Sequence, residues 1–348
     1  MSVKRKYQMS RIISYGEYML RLSPPGALRF TQTPDLDMLW GGAEANTCAA
    51  LAQLGADVGF VTAMPDNDIG QAGINELRRV GVDTSAIVRT GDRVGIYYCE
   101  NGASIRAGQV IYDRKNSAVA EADPSEYSWS SLLCGCGWLH LTGITLAISE
   151  KARESCRRAA QEAKRRGVYV SFDINYRSKL WDISEASKVI KGFMPAVDLL
   201  FCGYGDLAPI FGVSSDLAGD DPDNIPDGAY LDVSRQMYER FGTTRIVFSM
   251  RRTIQADETE YGLRLTDAAS GGMYDSRRYH IDAVDRVGAG DAADAGVIFS
   301  SIRGDEPQRI VEFGAACGAI KHTVRGDLTA ASLADVENVM RGGLRVRR

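Results

Sequence analysis

The stretch "SEKARESCRRAAQEAKRRGVYVSFDI", Ser149 to Ile174, joins a helical pattern directly to a strand pattern. Ser149 is a typical N-cap residue, and Gly167 is a typical helix stop. Between them, small residues recur on one stripe: Ala152, Cys156, Ala159 and Ala163. The apolar run from Gly167 to Ile174 has the length and β-branched content of a buried parallel strand. A helix followed at once by such a strand is part of a βαβ unit, which predicts a parallel sheet covered by helices.

The same alternation continues over most of the chain. Further buried-strand patterns occupy Asp57–Ala63, Val197–Cys202 and Thr244–Met250, with helical patterns between them. We therefore predict an α/β fold with three α/β/α layers and a mainly parallel central sheet. The irregular stretch from Val213 to Tyr230 is interpreted as a surface loop.

Two segments depart from this alternation, at about 17–40 and 92–118. Both are rich in alternating apolar residues, and we predict that they form a small β-sheet outside the core, which we call the lid. With this lid as two insertions, residues 11–345 are predicted to form a single domain.

Composition excludes several classes of protein. A formal net charge of -4 argues against nucleic-acid or membrane binding driven by overall charge. No apolar run is long enough to cross a bilayer and no signal-peptide pattern is seen, so we expect a cytoplasmic protein. The seven cysteines are expected to be reduced. Cys134 and Cys136 lack partners spaced for zinc, so no dedicated metal site is expected.

The stretch "VGAGDAADAG", Val287 to Gly296, is predicted to be a tight turn that opens a helix. Free backbone N–H groups and the helix dipole make such a start an anion site, for example for a phosphoryl group. A glycine-capped helix without a ligand is the alternative. A Walker loop is excluded because no Gly-Lys pair occurs, and the G-x-G-x-x-A match of a dinucleotide site lacks the required βαβ context.

Asp291 lies in the first turn of that helix. A carboxylate beside a bound phosphoryl group can take the proton from an attacking hydroxyl. The alternative is an ordinary acidic residue that the helix dipole stabilises.

Two motifs together resemble a known family. "VDRVGAGDAADAG" is similar to the C-terminal signature of the ribokinase-like (PfkB) sugar kinases, and "GGAEANTCAALAQLGADVGFVTAMPDNDIG" (Gly41–Gly70) is similar to their N-terminal signature. Further stretches, "YDRKNSA", "SFDINYR" and "VRGD", resemble the branch that acts on 2-keto-3-deoxygluconate. The resemblance runs from about Ile12 to Ala330 and implies a ribokinase-like fold.

The resemblance also implies roles for individual residues. Asp291 would be the catalytic base, with Gly288, Ala289 and Gly290 as the anion hole, and Asp206 would lie on the nucleotide side. Arg114 and Arg177 would receive a sugar carboxylate, which arginine forks bind in a bidentate manner. The other implied substrate-binding residues are Gly42, Ala43, Asn46, Tyr97, Tyr112 and Asp327.

Alternatives remain open for several of these residues. The arginines could form structural ion pairs, the tyrosines could pack within the lid, and Asn46 could only start a helix. Asp327 could be a loop acid.

Two features depart from the family pattern. Gly203 stands where many members carry Asn or Ser, and Asp294 adds a second carboxylate one helical turn after Asp291, where it could repel phosphate or raise the pKa of its neighbour. The adenine contacts are not predicted.

The implied activity is transfer of the γ-phosphoryl group of ATP to the 6-hydroxyl of 2-keto-3-deoxygluconate. ATP and Mg²⁺ are the implied cofactors, a monovalent cation is left open, and a homodimer through the lid is expected. The alternatives are a kinase for another sugar, such as fructose or a related keto-acid, and a sugar-acid-binding protein with weak catalysis.

Overall fold

The computed structural model describes residues 11–219 and 224–343. The predicted domain of residues 11–345 therefore ends two residues beyond the described part. In the described residues the strands are β1 Arg11–Tyr15, β2 Met19–Ser23, β3 Asp37–Gly41, β4 Val58–Met64, β5 Ile87–Arg89, β6 Ile96–Glu100, β7 Gln109–Asp113, β8 Cys136–Thr142, β9 Tyr169–Asp173, β10 Leu199–Cys202, β11 Arg245–Thr253, β12 Glu258–Asp267, β13 Gly272–Asp275 and β14 Tyr279–Asp282.

The helices of the same residues are α1 Ala43–Gln53, α2 Asp68–Arg79, α3 Ala118–Glu121, α4 Trp129–Leu132, α5 Gly143–Ile148, α6 Glu150–Arg166, α7 Ile183–Phe193, α8 Leu207–Phe211, α9 Asp227–Phe241, α10 Ala289–Ile302, α11 Pro307–His322 and α12 Leu333–Met340. Helix α6 matches its prediction: the Ser149 side chain accepts a hydrogen bond from the Ala152 N–H, and Gly167 ends the helix at φ 67°.

The central sheet has the order β13-β12-β11-β10-β9-β8-β1-β4-β5, with β14 paired to β12. Neighbouring strands from β11 to β5 in this order are parallel. Strand β12 pairs in antiparallel orientation with β11, β13 and β14. The predicted α/β fold with a mainly parallel sheet is confirmed.

Apolar side chains project from both faces of this sheet. Ile12 and Phe60 pack into one core cluster with residues of α1, α10 and α11, while Ile13 and Val61 pack into another with residues of α6 and α7. Since successive residues of a strand point to opposite faces, both faces are covered, which gives the three layers.

The lid is a separate sheet with the order β3-β2-β6-β7. Its strands come from the two predicted segments, and β2 and β6 join them as a parallel pair. The cross-strand pair Tyr97 and Tyr112 lies on one face, and the pair Tyr98 and Ile111 lies on the other.

One predicted loop is corrected by the structure. Helix α9 begins at Asp227, so the loop predicted for Val213 to Tyr230 ends earlier than predicted, and its residues 220–223 lie outside the described part of the chain. Among the described residues, no helix combines the length and apolar character that a membrane span requires.

Candidate active site

A cleft of about 490 Å³ lies between the lid and the carboxyl ends of the central parallel strands. Ligands of open α/β sheets bind at this edge. The predicted residues that line it are Gly42, Ala43, Asn46, Tyr97, Tyr112, Arg114, Arg177, Asp206, Gly288, Gly290, Asp291 and Asp327. Ala289 does not line it, because its side chain is buried and its N–H donates to the Arg286 carbonyl at 3.4 Å.

The glycine turn at the start of α10 has the geometry of an anion site. Gly288 is the N-cap residue at φ 83°, and a Cβ there would lie 2.2 Å from the Asp327 carbonyl oxygen. Only glycine fits both restrictions. The backbone N–H groups of Gly290 and Asp291 have no acceptor among the described residues. These two donors and the positive end of the helix dipole are therefore available to an anion. We call Gly288 to Asp291 the anion turn.

Asp291 is held by a residue of the other motif. The Asn46 side-chain amide donates to Asp291 Oδ2 at 2.7 Å, and Asn46 Oδ1 accepts from the Gly42 N–H at 3.3 Å. Burial raises the pKa of Asp291 to about 6, although Asn46 and Arg177 act in the opposite direction. The carboxylate is thus ionised at neutral pH and basic enough to accept a proton.

The two predicted arginines differ in their surroundings. Arg114 is buried and forms an ion pair with Glu17, whose other oxygen accepts from Ser117 at 2.5 Å. Arg177 is exposed to the cleft, and its Nη1 donates only to the Tyr176 carbonyl at 3.0 Å. Among the described residues, Arg177 has no ion-pair partner. It can therefore receive an anion, whereas Arg114 already has a carboxylate partner.

Asp327 belongs to a buried network that the sequence did not reveal. It accepts from Arg21 Nη1 at 2.8 Å and from the Tyr97 hydroxyl. Arg21 also pairs with Asp285 at 2.9 Å, and Asp285 accepts from the Val287 N–H at 3.1 Å. This network joins lid strands β2 and β6 to the loops on both sides of the anion turn. The only sequence signal was an arginine inside the apolar strand "MLRLS".

The lid tyrosines face the cleft. Tyr97 and Tyr112 have ring centroids 6.1 Å apart, and the Arg114 guanidinium lies 5.4 Å from the Tyr112 ring centre. The Tyr97 hydroxyl donates a hydrogen bond to Asp327. The two rings therefore line the lid side of the cleft, and the Tyr97 hydroxyl already has its acceptor.

A group of acids lines the inner end of the cleft. Burial and, to a lesser extent, the neighbouring Asp291 together raise the pKa of Asp173 to about 8. Burial together with Asp173 and Asp291 raises the pKa of Asp294 well above its usual range. Burial and the two neighbouring carboxyl groups thus favour the protonated form of Asp294, which lessens its repulsion of Asp291 and of a bound anion.

Asp206 lies in a short 3₁₀ turn after β10, where its Oδ2 accepts from the Gly203 N–H at 2.7 Å. Its Oδ1 has no hydrogen-bond donor among the described residues. No preassembled metal-ligand cluster occurs in the part of the chain that the structure describes. The seven cysteines are all free thiols.

Glu44 was missed although it stands inside "GGAEAN". Its Oε1 accepts from the Thr142 N–H at 3.2 Å and from the hydroxyls of Thr142 and Thr145 at 2.8 and 2.6 Å. Burial raises its pKa to about 7. Glu44 thus fastens the start of α1, and with it Asn46, to the turn after β8.

The α/β/α fold, the β-sheet lid and a carboxylate beside an anion site in the cleft are the features expected of a phosphoryl-transferring enzyme. Residues 9–225 match the family described as "pfkB family carbohydrate kinase". The chain belongs to this family, and the predicted ribokinase-like fold and kinase class are confirmed.

Two relatives and one solved structure show the extent of the similarity. The 2-dehydro-3-deoxygalactonokinase of Haloferax volcanii is 31% identical, over 96% of this chain and 98% of that protein. The 2-dehydro-3-deoxygluconokinase of Thermoproteus tenax is 29% identical, over 92% and 90%. The crystal structure of 2-dehydro-3-deoxygluconokinase from Thermotoga maritima is 38% identical with a TM-score of 0.91, over 96% and 100%.

Proposed function

We propose that this kinase transfers the γ-phosphoryl group of ATP to the 6-hydroxyl of 2-keto-3-deoxygluconate. The observation that carries the proposal is the position of Asp291. Its carboxylate faces the cleft in the same helical turn that offers the free N–H groups of Gly290 and Asp291. A base and an anion site in one turn suit the transfer of a phosphoryl group to a hydroxyl.

The reaction follows from this arrangement. Asp291 accepts the hydroxyl proton while the hydroxyl oxygen forms a bond to the γ-phosphorus. The bond from that phosphorus to the β–γ bridging oxygen breaks, and ADP leaves with the bonding electrons. Negative charge on the transferring group meets the N–H groups and the dipole of α10, which is where preorganised donors lower the barrier most.

A sugar acid is supported as the acceptor by Arg177 and by the names of the relatives. A neutral sugar would leave the free guanidinium of Arg177 without an anionic partner, which favours a carboxylate-bearing substrate. Gly42, Ala43 and Asn46 would contact the sugar hydroxyls from the start of α1. Tyr97 and Tyr112 would close the lid side, with Asp327 behind them.

Arg114 has a more indirect role in this proposal. Its guanidinium is partly occupied by the ion pair with Glu17, which also neutralises its charge. Arg114 would therefore give a substrate carboxylate one further hydrogen bond but no unpaired positive charge. We call Arg177 and Arg114 together the carboxylate clamp. Binding of a substrate carboxylate by this clamp therefore depends mainly on Arg177.

The nucleotide side would use Asp206 and the anion turn. Mg²⁺ bound with ATP would neutralise phosphate charge, and the open Oδ1 of Asp206 would offer it a contact. We further propose one kinase domain over residues 11–345, whose lid forms a homodimer contact.

The test is ADP release by the purified protein with Mg-ATP and one acceptor at a time. The acceptors are 2-keto-3-deoxygluconate, its galactonate epimer, fructose and ribose, with Asp291→Asn as the matched blank. We expect turnover confined to the sugar acids and lowered roughly 10²- to 10⁴-fold in Asp291→Asn.

Other outcomes separate the alternatives. Turnover on fructose or ribose would retain the kinase and remove the carboxylate clamp. Binding of the sugar acid without any turnover would favour a sugar-acid-binding protein, and near wild-type turnover of Asp291→Asn would remove Asp291 from the mechanism.

A further inference from the structure

Lys321 is a buried cation without an anionic partner in direct contact. It lies near the end of α11, and its side chain is fully buried. Its Nζ donates to the Asp285 carbonyl at 3.3 Å and to the Val324 carbonyl at 3.0 Å. No ion pair of Lys321 occurs among the described residues, so its contacts are backbone carbonyls.

Burial of an ammonium group costs free energy, because the group loses its hydration and here gains no ion pair among the described residues in return. Burial lowers the pKa of Lys321, while Asp285, Asp327 and Asp291 favour its charged form and Arg21 opposes it. The same ammonium helps to lower the pKa of Asp291. The positive charge of Lys321 therefore acts on the carboxylate of Asp291 although the two side chains are not in direct contact.

The two carbonyls belong to the two loops that frame the anion turn. Asp285 stands three residues before Gly288. Val324 begins the loop that leads to Asp327, whose carbonyl oxygen packs against Gly288 so closely that a Cβ would lie 2.2 Å from it. The end of α11 binds the first loop as well, because the His322 carbonyl accepts from the N–H groups of Val284 and Asp285 at 2.8 and 3.1 Å.

We propose that Lys321 is a positioning residue for phosphoryl transfer: its ammonium is a built-in cation that holds the carbonyls of Asp285 and Val324 together and thereby sets the anion turn. This inference rests on the proposed function of the cleft. Removal of the side chain would leave a small cavity lined by carbonyl oxygens, an environment that binds small monovalent cations. Ammonium or methylammonium ions should therefore replace the missing group.

The experiment compares Lys321→Ala, which opens the cavity, with Lys321→Met, which fills it without a charge. Each full-length protein is assayed in chloride salts of tetramethylammonium, ammonium or methylammonium at constant ionic strength. The readouts are the Kd of Mg-AMP-PNP, kcat, the KM of the sugar acid and the temperature of unfolding.

We expect Lys321→Ala in tetramethylammonium to lose about 10- to 100-fold in kcat, with a matching loss of Mg-AMP-PNP affinity and little change in KM for the sugar. Ammonium or methylammonium should restore a large part of both. Lys321→Met should show the same loss without recovery, and the wild type should not respond to the cation.

Several results would overturn the inference. One is wild-type kcat and Mg-AMP-PNP affinity in Lys321→Met, and another is a folded Lys321→Ala that ammonium and methylammonium leave unchanged. If Lys321→Ala folds only in ammonium, the inference is supported, and if it folds in no salt, it is contradicted. If the wild type does not turn over any sugar, the proposed function is contradicted. The role of Lys321 in setting the anion turn is then still decided by the Mg-AMP-PNP affinities of the two variants.

Discussion

Asp291 and Asn46 belong to different motifs, lie 245 residues apart in the chain and are joined by a hydrogen bond of 2.7 Å. That bond favours the ionised carboxylate, whereas burial favours the protonated one. The protonation state of the proposed base is thus set by both motifs together.

A pH profile tests this coupling. The base is active when ionised, so with a pKa of about 6 the wild-type kcat/KM should fall as the pH drops below that value. Asn46→Ala removes a contact that lowers the pKa, so the acidic limb should move to higher pH. Gln53→Ala, on the same helix but bonded to the Thr329 carbonyl, is the control and should leave the limb in place. An unshifted limb in Asn46→Ala would show that the amide does not tune Asp291.

The contrast between Arg177 and Arg114 gives a second prediction at this scale. Arg177→Ala should weaken binding of the sugar acid at least about tenfold, with the fold and Mg-ATP binding kept, because its guanidinium has no ion-pair partner among the described residues. Arg114→Ala leaves the buried Glu17 unpaired and should lower the free energy of unfolding by about 3 to 5 kcal/mol.

Calorimetric titration and denaturant unfolding of both variants provide the measurements. Equal losses of sugar-acid and Mg-ATP affinity in Arg177→Ala would count against the carboxylate clamp. An Arg114→Ala protein as stable as the wild type would show that the pair with Glu17 contributes little.

At the residue scale, the sequence predicts which positions line the cleft but not which side chains they bind. The predicted cleft residues come together because α1, which follows lid strand β3, packs against α10, which follows β14. The partners of Arg114 and Asp327 are 97 and 306 residues away, so only the fold could reveal that both side chains are already paired.

At the scale of elements, helix α6 was predicted correctly because its cap, its apolar stripe and its final glycine are all local signals. The start of α9 was missed since Pro226 and Asp227 also suit a turn. The long hairpin of β11 and β12 was not predicted, because its pairing from Arg245↔Asp267 to Thr253↔Thr259 depends on a partner strand and not on a local pattern.

The start of α10 permits a test with a matched pair of glycines. Gly288→Ala meets both a positive φ of 83° and the Asp327 carbonyl at 2.2 Å, so it should distort the turn and destabilise the protein. Gly290→Ala meets no atom within 4 Å and should keep the wild-type stability. Its methyl group would enter the cleft, so Mg-ATP affinity should fall if phosphate approaches that N–H.

Thermal unfolding and nucleotide titration distinguish these effects. Equal stability of the two variants would contradict the close packing of Gly288 on the Asp327 loop. Unchanged Mg-ATP binding in Gly290→Ala would place the phosphoryl group away from Gly290.

For the molecule as a whole, the lid has two different faces. Its inner face lines the cleft with Tyr97 and Tyr112 and is fixed to the core through Arg21. Its outer face carries Met38 and Ile111, which are 50% and 47% exposed. Apolar side chains grouped on an open sheet face are typical of a protein contact, and the homodimer proposed above would place a second copy of the chain on this face.

The homodimer is testable by the mass of the protein in solution. Light scattering should give a mass near twice the 37.9 kDa of the chain. Ile111→Arg places a charge on the outer face, at edge strand β7, and should shift the mass toward that of one chain, because burying an unpaired charge opposes association. Leu231→Arg, at a 38% exposed position of α9 away from the lid, is the matched control and should leave the dimer intact. A wild-type mass of one chain, or an Ile111→Arg protein that remains dimeric, would show that the outer face of the lid is not the contact between subunits.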